Sequence, residues 1–410
     1  MSIRWITELL GTAPAAEIRN LTEMELVDVR DLVDKAGNRP DAVKEKILAG
    51  VQCLRNGSKA VVCCDYGISR SNAVAAGILA VHNQIPFLDA VRMVQEKTGE
   101  TEIKLAPLEA VRRAVEGDAS NCKVKDRRTI LVTGARGFIG TAVCKQLVAN
   151  QFEVIAPSRE QLDIEMGSTQ LNLLAAQYNV DCIIHLANPR VYTSNIALGK
   201  TLAMLRNVLE VCTTLDISMV YPSGWEIYSG YVGKLFVDET VPAFAHGPYG
   251  DTKYLAELMI QQFQRTSDLR CTVMRSSPVY GTGSDRPKFI YNFIDKACHS
   301  EPIVTHHYLN ADAELDLLHI DDFTDAIIRV CIQKYIGVIN VGTGITTSTR
   351  VIAEMLKKEL GSKSTVQQKQ IESYTACISM NYQKANRVLD WKPKIMIEEG
   401  LKQLLLDHQK

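Results

Sequence analysis

The stretch RTILVTGARGFIGTAVCKQLVANQFEVIAPSRE, Arg128 to Glu160, decides how this chain is read. Residues 130–132 form a short apolar run of the kind that makes a buried parallel strand. The run enters Thr133, Gly134, Ala135, Arg136, Gly137, Phe138, Ile139 and Gly140. Apolar residues then recur at Ile139, Ala142, Val143 and Leu147, which is helical spacing. Residues 153–156 read as a second strand. A glycine-rich turn therefore sits between a strand and a helix inside a βαβ unit, the setting of a dinucleotide-binding fingerprint. Glycines allow the tight turn and the close approach of a pyrophosphate. The helix start supplies backbone N–H groups and the positive end of a dipole. Cofactor contacts are expected at Gly134, Arg136, Gly137, Phe138, Ile139 and Gly140.

Length and charge set the surroundings of this unit. At 410 residues the chain exceeds one typical core, so at least two domains are expected. Hydrophobic residues make up 46% and charged residues 23%, ordinary values for a globular protein, and the formal net charge is −1. A charge so near zero gives no basic field for nucleic acid or an anionic membrane. No apolar run approaches the length of a membrane span, and the first residues show no signal-peptide core. The eleven cysteines lack CxxC pairs or regular spacing, which points to free thiols in a reducing cytoplasm rather than a disulfide framework or zinc ribbon. No metal site is expected. The adjacent His306 and His307 lack helical ligand spacing and read as a solvated loop.

Upstream, residues 1–118 form a first unit, with 119–127 as a polar linker. Strands are expected at 25–29 and 59–63, and helices at 42–54, 72–82, 88–97 and 106–115. Between the second strand and the second helix lies Cys64-Asp65-Tyr66-Gly67-Ile68-Ser69-Arg70-Ser71. A thiol at a strand end, facing a helix start, meets backbone N–H groups that stabilise a thiolate and bind an anion. The planar fork of Arg70 is suited to two phosphate oxygens, and Ser71 to the thiolate as leaving group. Nucleophile, anion cradle and clamp together describe hydrolysis of a phosphate ester through a cysteinyl-phosphate. The spacing Cys-x5-Arg-Ser, with Gly67, resembles the signature of tyrosine and dual-specificity phosphatases over residues 20–118. That resemblance implies a small α/β sheet domain and an upstream aspartic acid as proton donor. Asp31 has the family's usual separation from Cys64, with Asp28 and Asp34 as rivals. It also implies a histidine before the nucleophile. Cys63 stands there instead, which implies lower activity or a strained vicinal disulfide with Cys64.

Beyond the fingerprint, none of Pro157, Ser158 or Arg159 is acidic. An acid there would favour the ribose hydroxyl of NAD, whereas Arg159 with Ser158 suits the 2′-phosphate of NADP(H). NADP(H) is therefore the expected cofactor, with NAD(H) the alternative through Glu160. Strands are expected at 180–186 and 217–221. Tyr249 and Lys253 lie four apart, on one helix face. An ammonium beside a tyrosine stabilises its phenolate, and that tyrosine can then exchange a proton with a hydroxyl as hydride moves.

With TGARGFIG, HLANP, PSGWEIYSG, PYGDTK, RSSPVYG, LLHIDDFTDAI and INVGTG in this order, residues 128–410 resemble an extended short-chain dehydrogenase/reductase. The group is that of nucleotide-sugar epimerases, dehydratases and reductases. The resemblance implies a Rossmann doubly wound parallel sheet with a smaller C-terminal substrate-binding part. It implies cofactor contacts also at Asp163, Ile164, Ala187, Asn188, Tyr249 and Lys253, and a possible homodimer through this domain. The family's catalytic Ser or Thr falls at Gly224, and Ser223 lies one place early. Glu226 matches a catalytic glutamate of sugar-nucleotide dehydratases. The family's pyrophosphate-binding Arg is replaced by Leu315 before Asp316, and an Asn by Pro278. Arg286 and Lys288 are candidate phosphate ligands.

The expected protein is a bifunctional cytoplasmic enzyme with α/β domains. A cysteine phosphatase is joined to an NAD(P)-dependent oxidoreductase, epimerase or dehydratase acting on a sugar, sugar-nucleotide or cyclitol derivative. The alternatives are a regulatory pair, sensing a phosphorylated ligand and nicotinamide, or a reductase with an attached protein phosphatase.

Overall fold

Apolar strands that alternate with amphipathic helices can be buried only between helical layers, and both halves of the chain follow this rule. The computed structural model describes residues 3–18, 24–35, 37–116, 127–189, 194–284 and 289–408. Two compact units emerge: residues 1–126 with 159–180, and residues 127–158 with 181–410.

The first unit opens with β1 (Arg4–Trp5), β2 (Leu10–Pro14) and β3 (Glu25–Asp28). Helix α1 (Pro40–Arg55) follows, with proline in its first turn, where no N–H is needed. Its buried Val43, Ile47, Val51 and Leu54 form one apolar stripe. Strand β4 (Ala60–Cys64) is buried throughout and leads into α2 (Arg70–Asn83), α3 (Phe87–Thr98) and α4 (Leu105–Glu116). The sheet order is β1-β2-β4-β3; β2, β4 and β3 run parallel and β1 antiparallel to β2. Central β4 therefore delivers Cys64 to the strand end that faces the start of α2. Residues 117–126, most of the expected linker, lie outside the described residues.

The second unit begins with β5 (Thr129–Thr133), α5 (Phe138–Ala149) and β6 (Glu153–Ile155). The next helix, α6 (Thr169–Gln177), belongs to the first unit, so the compact units depart from a single cut near residue 118. Leu173 of α6 joins the first unit's core, and Thr169 Oγ1 accepts from Ile103 N at 2.9 Å. Gln170 Nε2 donates to Gln95 Oε1 at 3.0 Å. The second unit continues through β7 (Cys182–His185), α7 (Asn195–Thr214), β8 (Ser218–Gly224), β9 (Gly233–Val237), α8 (Pro248–Ser267) and β10 (Cys271–Ser276). Its main sheet has six parallel strands in the order Gly337–Val341, β10, β8, β7, β5, β6. Strand order reverses at β5, so the crevice beyond the ends of β5 and β7 is the topological switch point where ligands bind such sheets.

His306 and His307 are not in a loop. They lie in strand Ile303–Tyr308, paired in parallel with Val366–Ile371. Ile303 and Thr305 are buried while Val304 and His306 face out, a two-residue alternation that the adjacent histidines obscure. His307 Nδ1 bonds Asp312 Oδ1 at 2.5 Å. Among the described residues no group of three or more His, Cys, Asp or Glu side chains is arranged to hold a metal. Among them, too, no helix is long and apolar enough to cross a membrane.

Two candidate active sites

Cys64 ends β4, and the chain turns through residues 65–69 into α2. Gly67 makes the turn possible: its φ is +67°, and a Cβ there would lie 2.5 Å from Pro14 N. Gly67 N donates to Cys64 Sγ at 3.2 Å, and Ser71 Oγ lies 3.4 Å from the sulfur. Burial pushes the Cys64 thiol up. Hydrogen bonds from the Ser71 hydroxyl and from the N–H groups of Ser71, Ile68 and Gly67 more than reverse this, leaving it below its ordinary value. Cys63 points to the other face of the strand, as neighbours on a strand do. Burial, with Asp28 beside it, pushes its thiol up to about 11. Both thiols are free, so the vicinal disulfide is absent.

Arg70 is 9% exposed. Its Nη1 donates to the carbonyls of Arg30 at 3.1 Å and Leu32 at 2.8 Å, and its Nη2 to Asp65 Oδ2. The three aspartates proposed as proton donors separate clearly. Asp28 is bonded to Arg30, which holds its carboxyl down at about 2. Asp31 faces Lys46 at 3.0 Å and is largely exposed. Asp34 Oδ1 lies 3.6 Å from Arg70 Nε, and its other oxygen accepts from Lys104 Nζ at 2.9 Å. Of these three, Asp34 rather than Asp31 lies beside the clamp. The reason is the course of the chain between β3 and α1, which separation in sequence does not reveal.

At the second site the fingerprint turn forms a cradle. Gly134 has φ +69°, and a Cβ there would lie 2.8 Å from Ala187 N; at Gly140 it would lie 2.2 Å from Gly134 O. Gly137 is the N-cap of α5, and no side chain caps that helix. The cradle thus has the close approaches and the helix start that a dinucleotide pyrophosphate requires, so the residues fit the group. Thr133 Oγ1 accepts from Ala187 N at 3.3 Å, and Asn188 Oδ1 from Thr201 Oγ1 at 3.5 Å. Ser158 and Ile164 are buried. Arg159 is engaged along one edge of its fork, Nε with Asp163 at 3.3 Å and Nη2 with Glu165 at 3.1 Å. Asp163 also accepts from Glu165 N at 3.0 Å.

Tyr249 and Lys253 lie on one face of α8. Lys253 Nζ is 5.7 Å from the Tyr249 ring centre and 4.8 Å from that of Tyr221, and donates to Pro222 O at 2.8 Å. Burial pushes this ammonium down to about 8, against the opposing pull of Glu226 and Glu257. Ser223 does not replace the missing hydroxyl at Gly224. Its Oγ donates at 2.5 Å to Glu257, which is buried and pairs with Arg275 at 2.8 Å. Arg275 Nη1 in turn donates to Tyr228 OH at 2.8 Å. Glu226 fills that space instead: a Cβ on Gly224 would lie 2.1 Å from Glu226 Oε2. Arg286 and Lys288 lie outside the described residues.

Three groups were not singled out from sequence. Glu257 sits one turn beyond Lys253 and was hidden in an ordinary amphipathic pattern. Asp316 is a buried carboxylate that accepts from Thr343 N, Thr343 Oγ1, Gly344 N and Met380 N at 2.6–3.0 Å. His185, inside HLANP, is buried with Nδ1 2.8 Å from Thr133 Oγ1. Burial, with Lys253 nearby, pushes its imidazole down to about 3. An unfolded chain takes up this proton near 6.5, so between about 3 and 6.5 the unfolded state binds more protons. Stability should therefore fall as pH drops through that window and be unaffected by His185 above it. Thermal unfolding across pH should show a shallower acid limb in His185→Asn; superimposable limbs would contradict this.

The fold is that of a Rossmann-type domain, with Tyr249 and Lys253 on one helix. The model of the NAD-dependent epimerase/dehydratase family matches residues 130–342, just over half of the chain, and the chain belongs to that family. A putative UDP-glucose 4-epimerase of Methanocaldococcus jannaschii is 29% identical over 307 residues, covering 67% of this chain and 97% of that protein. The UDP-glucuronate 4-epimerase of Thermodesulfobacterium geofontis is 27% identical over 311 residues, covering 66% and 93%. Among solved structures, the UDP-glucose 4-epimerase of Thermus thermophilus in complex with NAD superposes with a TM-score of 0.61 at 20% identity. It covers 68% of this chain and 99% of that one, a likeness of fold.

Proposed function

We propose that this chain carries two active sites: an NAD(H)-dependent site that oxidises and re-reduces a carbinol of a sugar, sugar-nucleotide or cyclitol derivative, and a cysteine-dependent phosphatase. For the first, the single observation that carries the reading is the Tyr249–Lys253 pair in a family member with an intact glycine cradle. The nicotinamide, when bound, supplies the hydride acceptor. The Lys253 ammonium stabilises the Tyr249 phenolate, which takes the carbinol proton at its phenolic oxygen and becomes the neutral phenol as hydride leaves the carbinol carbon. The Glu226 carboxylate, standing in the space of the family's Ser or Thr, accepts a hydrogen bond from a neighbouring hydroxyl of the substrate. Leu315, in place of the resembled family's pyrophosphate-binding Arg, and Pro278, in place of an Asn, weigh against a nucleotide sugar, whereas the family and the similar UDP-sugar epimerases weigh for one, so UDP-glucose is the first probe.

Membership of the NAD-dependent family favours NAD(H) over the NADP(H) expected from sequence, and the exposed ion pairs of Arg159 with Asp163 and Glu165 would compete weakly with a 2′-phosphate. Calorimetry on the full chain should give tighter binding of NAD than of NADP; the reverse order would reject this assignment. Tyr249→Phe should keep NAD binding. On any carbinol that the wild type oxidises, starting with UDP-glucose as probe, it should lose on the order of 10²–10⁴ in rate. Glu226→Gln should lose less. Full turnover in Tyr249→Phe would reject the mechanism.

The phosphatase reading is carried by the Cys64 sulfur held by Gly67 N and Ser71 beside a buried arginine. The Cys64 thiolate attacks phosphorus, the ester P–O bond breaks, and Asp34 gives its proton to the departing oxygen. Water then attacks the cysteinyl-phosphate with its proton passing to Asp34. The S–P bond breaks, and Ser71 donates a hydrogen bond to the returning thiolate. Hydrolysis of p-nitrophenyl phosphate by the full chain tests this.

A further inference from the structure

The Arg70 fork is anchored on one side and contested on the other. Nη1 is fixed by two backbone carbonyls, while Nη2 is taken by Asp65, the residue after the nucleophile. Nε is buried and has no hydrogen-bond partner; Asp34 Oδ1, 3.6 Å away, is likewise buried without one. A nine-tenths buried arginine with an unmet donor marks a site built for an acceptor. A phosphate gripping Nε and Nη2 together must release Nη2 from Asp65. The Asp65 side chain is 55% exposed, so it can swing into water, but its charge stays beside the anion.

Basic side chains bonded into this neighbourhood are already matched. Arg30 pairs with Asp28 at 2.6 Å, Lys104 with Asp34 at 2.9 Å, and Arg4, which also donates to Gly67 O, with Glu100. A second phosphate on the ligand would find these cations neutralised and Asp65 repelling it. The loop's outward surface is apolar instead, with Tyr66 and Ile68 exposed.

We propose that Asp65 is a selectivity gate on the phosphate loop: it holds the Arg70 fork until a phosphomonoester displaces it, and it turns away polyanions. The substrate class is thereby the monophosphate of an uncharged alcohol. This rests on the phosphatase reading of the same loop.

The test is protection of Cys64 in the full chain from iodoacetamide, followed by mass spectrometry of its peptide, with inorganic phosphate and pyrophosphate as probes. This readout reports only the Cys64 loop, not the cofactor cradle. Wild type should be protected by phosphate at about tenfold lower concentration than by pyrophosphate. Asp65→Asn should tighten phosphate about tenfold and pyrophosphate more, shrinking the preference; relief of one repulsive or competing pair is of that size. Asp65→Ser should do the same, and high salt should shrink the wild-type preference. An unchanged preference in both variants, or a wild type that prefers pyrophosphate, overturns the gate alone. A Cys64 that is never alkylated, or that neither anion protects in any variant, overturns the gate and the phosphatase reading together.

Discussion

Cys64→Ser is expected to lower p-nitrophenyl phosphate hydrolysis by the full chain by more than about a thousandfold, as removal of an attacking nucleophile does. The hydroxyl that replaces the thiol lacks its ionisation, whereas Arg70 and the backbone N–H groups remain in place, so phosphate should still bind. Two further variants locate the proton donor. Asp34→Asn should cost on the order of 10²–10⁴ for alkyl phosphates, whose leaving groups need protonation. Asp31→Asn should cost little, because Asp31 faces Lys46. Steady-state rates across leaving groups decide: equal losses in Asp31→Asn and Asp34→Asn would place the acid wrongly. Substantial hydrolysis by Cys64→Ser would place the nucleophile wrongly.

The second large effect is on stability. Glu257→Ala should destabilise the second unit by about 3–5 kcal/mol, the usual cost of removing one partner of a buried ion pair. Arg275 would keep its charge in a buried setting with only Tyr228 OH and the carbonyl of Glu239 as acceptors. Ser223 would lose its acceptor as well. Glu257→Gln, which retains a carbonyl acceptor, should cost less. Urea unfolding followed through tryptophan fluorescence, with Trp391 buried in this unit, reads the change. A loss below about 1 kcal/mol would mean that water or another acceptor reaches Arg275.

Periodicity made the Rossmann-type sheet legible, because a glycine-rich turn between an apolar strand and an amphipathic helix has few other uses. The step from strand β4 through residues 65–69 into α2 was legible for the same reason, because the apolar run, the glycine and the helical spacing are local in sequence. What failed was whatever depended on facing or on loop course. Ser223 is one residue from Gly224, but on a strand one residue is the opposite face, and its hydroxyl is turned to Glu257. Asp31 and Asp34 are three apart in an irregular stretch, and only the fold shows which one meets Arg70. The ion pairs of Arg159 with Asp163 and Glu165, acids four and six residues on, were a readable sign in the sequence that its phosphate-binding role has competitors. The crossover helix α6 is buried along almost its whole length, so its amphipathic face could not tell which core it joins.

The central claim is a phosphate-transferring thiolate in a member of the NAD-dependent epimerase/dehydratase family. Acid-quenching the full chain during turnover of p-nitrophenyl phosphate and mapping the phosphate by mass spectrometry tests it most directly. The account predicts an acid-stable thiophosphate on Cys64, none on Cys63, and none anywhere in Cys64→Ser. Turnover with no adduct on Cys64, or an adduct on another residue, would contradict it.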